Sequence, residues 1–186
     1  MRALILLAAL TPQGDFLPLK DGLRWTYVVE DVGAEATTPA SEVVADVGGT
    51  TAPADPGWME VRNYLGYRRC WLRETPEGIE LKIDAKEGAP ALMILKTSAK
   101  TGDTWTGTLG REELRFTFRG EETLEQGDAR LQALHVEFSA ASEKHAGHTA
   151  THGDVWFAAG VGIVRAQLTT DLDCHTSMTK VYQLKP

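Results

Sequence analysis

The densest group of chemically capable side chains is the stretch Lys144-His145-Ala146-Gly147-His148-Thr149-Ala150-Thr151-His152-Gly153-Asp154, where three of the five histidines fall within eight residues. Imidazole is the commonest protein ligand for zinc and copper. A metal site needs three or four converging ligands. His145, His148 and His152 supply three if the loop folds back, and His175, Cys174 or Asp154 would complete the set. The spacing matches no structural zinc pattern, so a polar connection between two strands is the competing reading. A transition metal is the one cofactor the sequence suggests, and a metal-binding protein or metal-dependent hydrolase built on the His145–His152 loop is the alternative reading.

A second group is the polar face of Trp58, Arg62, Tyr64, Tyr67, Arg69, Trp71 and Arg73. Tryptophan and arginine together favour binding surfaces, through stacking and two-pronged hydrogen bonds. Glu60, Glu80 and Asp84 are placed to neutralise these arginines, so ion pairs across a solvated or covered face explain the same pattern. Nucleophilic catalysis finds no support, since no Gly-x-Ser-x-Gly occurs around any serine. His135 and Glu137 alternate with Leu134, Val136 and Phe138, which reads as a surface pair on a strand. Glu121, Glu122 and Glu125 read as a solvated acidic turn, and no pair of carboxylates is singled out for acid–base work. The balance leans away from an enzyme.

The elements that must position these residues are short alternating segments broken by turn chemistry, the pattern of a β-sandwich or barrel. Candidate strands are Leu23–Glu30, Ser41–Val47, Trp58–Tyr64, Tyr67–Glu74, Ile79–Asp84, Ala91–Lys96, Thr104–Thr108, Glu112–Arg119, Leu131–Ser139, Asp154–Ala158, Val161–Thr170 and His175–Leu184. Gly48-Gly49, Pro53 to Gly57, Thr75 to Gly78 and Gly127-Asp128 separate them. The expected fold is all-β: a strongly curved antiparallel sheet of roughly ten to twelve strands with little helix, as a half-open barrel or a sandwich.

Register can be read between Trp58 and Asp84. With Leu65-Gly66 as a tight turn, Tyr64 faces Tyr67, Arg62 faces Arg69, Glu60 faces Trp71, and Trp58 faces Arg73. With Thr75–Gly78 turning the chain again, Arg73 meets Glu80, Trp71 meets Lys82, and Arg69 meets Asp84. The opposite face then collects Met59, Val61, Cys70, Leu72, Ile79, Leu81 and Ile83 as core. A faint repeat is also present. Leu17-Pro18-Leu19-Lys20 leads to Gly22-Leu23-Arg24-Trp25-Thr26, and Ile94-Leu95-Lys96 leads to Gly102-Asp103-Thr104-Trp105-Thr106, which suggests two similar β halves.

The 186 residues bear a formal charge of -7, with 42% hydrophobic and 24% charged residues. These are ordinary globular values, and the acidic balance argues against nucleic acid as the main partner. Met1-Arg2 followed by Ala3 to Leu10 has the layout of a short secretory signal, so residues 1–10 are expected to be an apolar start and 11–186 a single β domain. No other stretch approaches the length needed to span a bilayer. In an exported protein the two cysteines, Cys70 and Cys174, invite a disulfide; two unrelated free thiols fit the sequence as well.

The run Leu17 through Tyr27, the Gly102…Trp105 pair and Trp156-Phe157-Ala158-Ala159-Gly160-Val161-Gly162-Ile163-Val164 together resemble a family of short exported bacterial β proteins with no established function. The resemblance implies a periplasmic or extracellular, strongly curved antiparallel sheet, and it carries over no catalytic residues. Independently of any family, Gly160 and Gly162 bracket Val161 where a bulge or tight turn is expected; no Lys-Ser/Thr follows to make a phosphate loop. The expected function is non-enzymatic binding or scaffolding, with a small apolar ligand or a protein partner held on the curved sheet.

Overall fold

The computed structural model describes residues 15–33, 39–48, 57–86, 88–110, 112–127, 129–140, 152–171 and 177–186. The apolar start, His145, His148, Cys174 and His175 lie outside them. Twelve strands, and no helix among the described residues, follow one another: β1 (Arg24–Val32), β2 (Ser41–Val47), β3 (Met59–Tyr64), β4 (Tyr67–Thr75), β5 (Gly78–Lys82), β6 (Leu92–Lys96), β7 (Thr104–Leu109), β8 (Glu112–Gln126), β9 (Ala129–Ala140), β10 (His152–Ala158), β11 (Gly162–Asp171) and β12 (Ser177–Leu184). The expectation of an all-β, strongly curved antiparallel sheet holds. Strands β8 and β9 run longer than their hydrophobic pattern suggests. Glu121, Glu122 and Glu125 therefore belong to β8 and do not form an acidic turn. The register shifts between Phe118 and Gly120, and this bulge re-aims the strand ahead of the acidic run.

All twelve strands form one sheet, ordered β6-β5-β4-β3-β2-β1-β12-β11-β10-β9-β8-β7, with every pairing antiparallel between hydrogen-bonded neighbours. Two six-strand meanders thus join along β1 and β12, and the sheet curls until β6 and β7 approach as its edges. Side chains close that seam: the Trp105 indole donates to the Met93 carbonyl at 2.8 Å. Gly107 lies so near that a Cβ there would stand 2.5 Å from Leu92 Cδ1. The result is a nearly closed barrel.

The sequence repeat marks the first strand of each meander. Leu23 N donates to Lys20 O at 3.0 Å and Asp103 N to Lys100 O at 2.8 Å, two matching turns. The third residues of these turns, Gly22 and Gly102, have φ of +79° and +94°, left-handed backbone that glycine adopts without a Cβ clash. Strand pairing opens alike in both, through Val47 N to Leu23 O and Phe118 N to Asp103 O. Each tryptophan then caps an edge of the core by donating its indole N–H to a distant carbonyl, Trp25 to Val161 and Trp105 to Met93.

The core lies inside the curl. One end is stoppered by Phe16 and Leu17, both buried, whose amides donate to the Glu74 carboxylate. Gly160 N ties the same segment through Asp15 O at 2.7 Å, so the turn around Gly160 and Gly162 seats the stopper. Aromatic rings fill the space above it: Tyr64 packs edge-on to Tyr27 and tilted against Trp25, and Tyr27 meets Tyr182.

Candidate functional site

Toward the other end, the barrel is hollow. A cavity of about 280 Å³ is lined by Leu81, Leu92, Ile94, Leu109, Leu114, Phe116, Val136, Phe138, Val155, Phe157, Ile163 and Leu168 from both meanders. Its few polar neighbours are Tyr64, Tyr67, Thr170, Lys180 and Tyr182, of which Tyr64 and Tyr182 are buried. The volume sits at the lower end of ligand pockets, which run from about 300 Å³ upward. Lys180 brings no free charge, because its ammonium lies 2.8 Å from Asp31 Oδ1.

The tyrosines are where sequence and structure part. The pairings Tyr64–Tyr67, Arg62–Arg69, Glu60–Trp71, Arg73–Glu80 and Trp71–Lys82 all form as expected. Tyr64 nevertheless turns inward and is buried in the core, and Tyr67 packs against that core. Asn63 and Leu65 hold φ of +53° and +48°, with Gly66 at +86°. Positive φ at Leu65 and Gly66 makes the two-residue hairpin turn, and left-handed Asn63 breaks the period-two alternation just before it. Strand β5 ends at Lys82. Ile83 is 38% exposed and does not join the core, and Asp84 pairs with Lys86 instead of Arg69. Burial pushes the Tyr67 phenol up to about 12 and raises Tyr182 as well, so both hydroxyls stay protonated donors.

The rest of the expected ligand face lies on the opposite side of the sheet. Trp58 and Trp71 are each 3% exposed yet stand outside the core cluster. Arg73 and Lys82 lie over the Trp58 ring, each at 4.6 Å, and Arg69 lies over Trp71 at 5.5 Å. Glu60 is buried against Arg62 and holds that guanidinium's pKa above its ordinary value through a hydrogen bond at 2.8 Å. Arg73 pairs with Glu80 at 2.6 Å. The arginines of this face thus stack on indoles or neutralise carboxylates, which is a packed polar layer. Arg62, Arg68, Arg69 and Trp71 still share one shallow surface groove with Asp84.

Among the described residues no group of three or more His, Cys, Asp or Glu is placed to hold a metal. Of the expected ligands, His145 and His148 lie outside the described residues. His152 opens β10 and approaches Asp171 at 3.9 Å. Cys70 is a buried free thiol, pushed up to about 12 chiefly by desolvation; its suggested partner, Cys174, lies outside the described residues.

Sequence reasoning missed one polar cluster. His135, on the face of β9 opposite the cavity-lining Val136 and Phe138, places Nδ1 2.6 Å from Glu122 Oε1 and Nε2 2.7 Å from Asp154 Oδ1. Its ring stacks on Trp156 at 4.5 Å, and Arg165 covers that indole at 5.0 Å. The Trp156 N–H donates to Glu122 Oε2 at 2.9 Å. That bond, followed by the one from His135, holds the Glu122 carboxyl below the usual carboxylate range. Both ring nitrogens lie against carboxylates, so neither is turned toward a metal or a substrate. The cluster is a clasp across β8, β9, β10 and β11. Glu137, the residue expected beside His135, pairs with Arg119 instead.

No helix among the described residues is long and apolar enough to cross a membrane. No protein-family model matches the chain, and no curated protein matches it. Solved structures do. A Bacteroides fragilis protein described as exported, with a YmcC-like fold, aligns with TM-score 0.51 at 15% identity, covering 92% of this chain and 98% of its own. The hypothetical lipoprotein YmcC of Escherichia coli aligns with TM-score 0.39 at 12% identity, over 89% and 88%. A Parabacteroides distasonis protein described as a lipoprotein aligns with TM-score 0.40 at 12% identity, over 92% and 97%. At such identities the likeness is one of fold.

Proposed function

We propose that the chain is a non-enzymatic, extracytoplasmic binding protein that takes a small apolar ligand into the hollow of its barrel. The observation that carries this reading is the cavity of about 280 Å³, with a mostly apolar wall and few polar side chains in its lining. Enclosed apolar space with a few convergent polar groups is the usual form of a small-molecule site. Each methylene moved from water into it is worth about 0.8 kcal/mol, so about eight of them give roughly 6 kcal/mol. That corresponds to a Kd in the tens of micromolar before ordering costs. Among the described residues of the outer face, His135 is clasped between carboxylates, and Arg62, Arg69 and Arg73 are stacked or paired. Placement outside the cytoplasm is supported by the apolar run Ala3 to Leu10 behind Arg2 and by the description of the Bacteroides fragilis fold relative as exported.

The test is titration of the full chain with an apolar fluorescent probe, comparing wild type with Val155→Phe. Val155 lines the cavity and is only partly buried, so the added ring fills space without displacing the deepest core. The probe affinity is expected to fall at least tenfold while the melting temperature holds or rises. Leu168→Phe, from the next strand, serves if the first variant folds poorly. Unchanged affinity in a folded filled variant overturns the reading.

A further inference from the structure

A surface groove borders the cavity beside the β3–β4 hairpin. β2 and β3 pair at just two positions, Asp46–Arg62 and Val47–Val61, and then part. From there to the hairpin turn, one long side-chain bond from Asn63 Nδ2 to Val44 O, at 3.5 Å, bridges them. A groove occupies the gap, lined by Glu42, Val43, Val44, Asn63, Gly66, Tyr67, Arg68 and Tyr182. Gly66, Tyr67 and Tyr182 line both the groove and the cavity, so the two spaces border the same side chains. Val44, 40% exposed, gives the outer lip an apolar surface.

Polar capacity is left unspent at that junction. Tyr182 is only 5% exposed, yet its hydroxyl has no hydrogen-bond partner among the described residues, and the same holds for Tyr67. Neither phenol oxygen is among the buried unpaired atoms, so both reach solvent and can donate to a ligand that arrives there. Outside them, Arg68 carries a guanidinium with no ion-pair partner among the described residues. The groove's one carboxylate, Glu42, is already matched by Lys185 at 2.8 Å. The junction thus offers two neutral donors and one uncompensated positive charge, beside an apolar chamber too small for a two-chain lipid.

We propose that the ligand is a single-chain amphiphile with a monoanionic carboxylate head, which enters tail first between β2 and the β3–β4 hairpin and leaves its head on Tyr67, Tyr182 and Arg68. One net positive charge matches a carboxylate better than a doubly charged phosphate, and the phenols donate to it without competing charge. This assignment rests on the cavity-binding reading above and goes beyond it in naming the head and the entrance.

The experiment is calorimetric titration of the full chain, below micellar concentrations, with dodecanoate, dodecanol and dodecyl phosphate. The variants are Tyr67→Phe/Tyr182→Phe, Arg68→Gln and the filled Val155→Phe, each checked by thermal melting. Dodecanoate is expected to bind at least tenfold more tightly than the alcohol. The double tyrosine variant should lose about 10- to 100-fold for dodecanoate and less than about fivefold for dodecanol, since bonds to a charged acceptor are the stronger ones. Arg68→Gln should weaken dodecanoate about fivefold and flatten its salt dependence. If the double variant misfolds, Tyr67→Phe alone reports the same loss in part. Equal binding of acid and alcohol, or dodecanoate affinity unmoved in the tyrosine variants, overturns the head assignment while leaving the cavity reading intact. Tighter binding of dodecyl phosphate overturns the carboxylate in favour of a phosphate head. Binding of none of the three, or undiminished binding by Val155→Phe, overturns both readings.

Discussion

Replacing Glu74 by Gln should loosen the stopper at the closed end of the barrel without touching the cavity. The Glu74 carboxylate accepts the Phe16 amide at 2.6 Å and the Leu17 amide at 3.1 Å, one on each oxygen. Bonds of this kind to a charged group contribute about 1.5–3 kcal/mol each. A glutamine keeps one acceptor oxygen but turns an NH2 group toward the second amide, so donor faces donor. The expected cost is one bond and the charge assistance of the other, about 2–3 kcal/mol. With a urea slope of about 2 kcal/mol/M, the midpoint should drop by about 1–1.5 M at unchanged slope. Hydrogen exchange then locates the loss, because the Phe16 and Leu17 amides should lose protection ahead of the sheet. A cost under about 0.5 kcal/mol, or a variant in which those amides stay protected, would refute the view that Glu74 is what anchors the segment.

The clasp on the opposite side of the sheet predicts a pH signature. Glu122 titrates below its ordinary value of 4.5 in the folded chain, so its contribution is present above that value and lost as pH falls through the lower folded one. Glu122→Gln should cost about 1 kcal/mol at neutral pH, a small figure because the carboxylate is half exposed. Wild-type and variant stabilities should converge in acid, and parallel curves down to low pH would contradict the clasp. Cys70, buried and with its thiol pushed up to about 12, should resist a thiol reagent in folded Cys174→Ser protein and react within the mixing time once unfolded. Rapid labelling of the folded variant would place Cys70 elsewhere.

The strands and the β3–β4–β5 register were legible because alternation survives wherever the backbone stays extended, and because Leu65-Gly66 and Thr75–Gly78 punctuate it. The Gly22…Trp25 and Gly102…Trp105 repeat was legible for a related reason: a left-handed glycine and a capping tryptophan both leave marks in composition. Tyr64 and Tyr67 could not be placed, since one left-handed residue, Asn63, turns the alternation over and asparagine does not announce it. Glu122 was hidden by its acidic neighbours, which look like a turn until the bulge beside Gly120 carries the strand onward. The cavity and the groove beside it are properties of curvature and of two strands failing to pair beyond Arg62, and neither leaves a local pattern in sequence. The arginine and tryptophan face shows the converse: residue types that favour binding are here largely spent on one another.

The most direct test of the hollow barrel is a crystal structure of the wild-type chain under xenon pressure, since xenon enters dry apolar cavities and not packed cores. The account predicts xenon among Val136, Phe138, Val155 and Leu168, with the sheet unchanged around it. An interior that admits no xenon, with those four side chains packed in contact across the barrel, would contradict it.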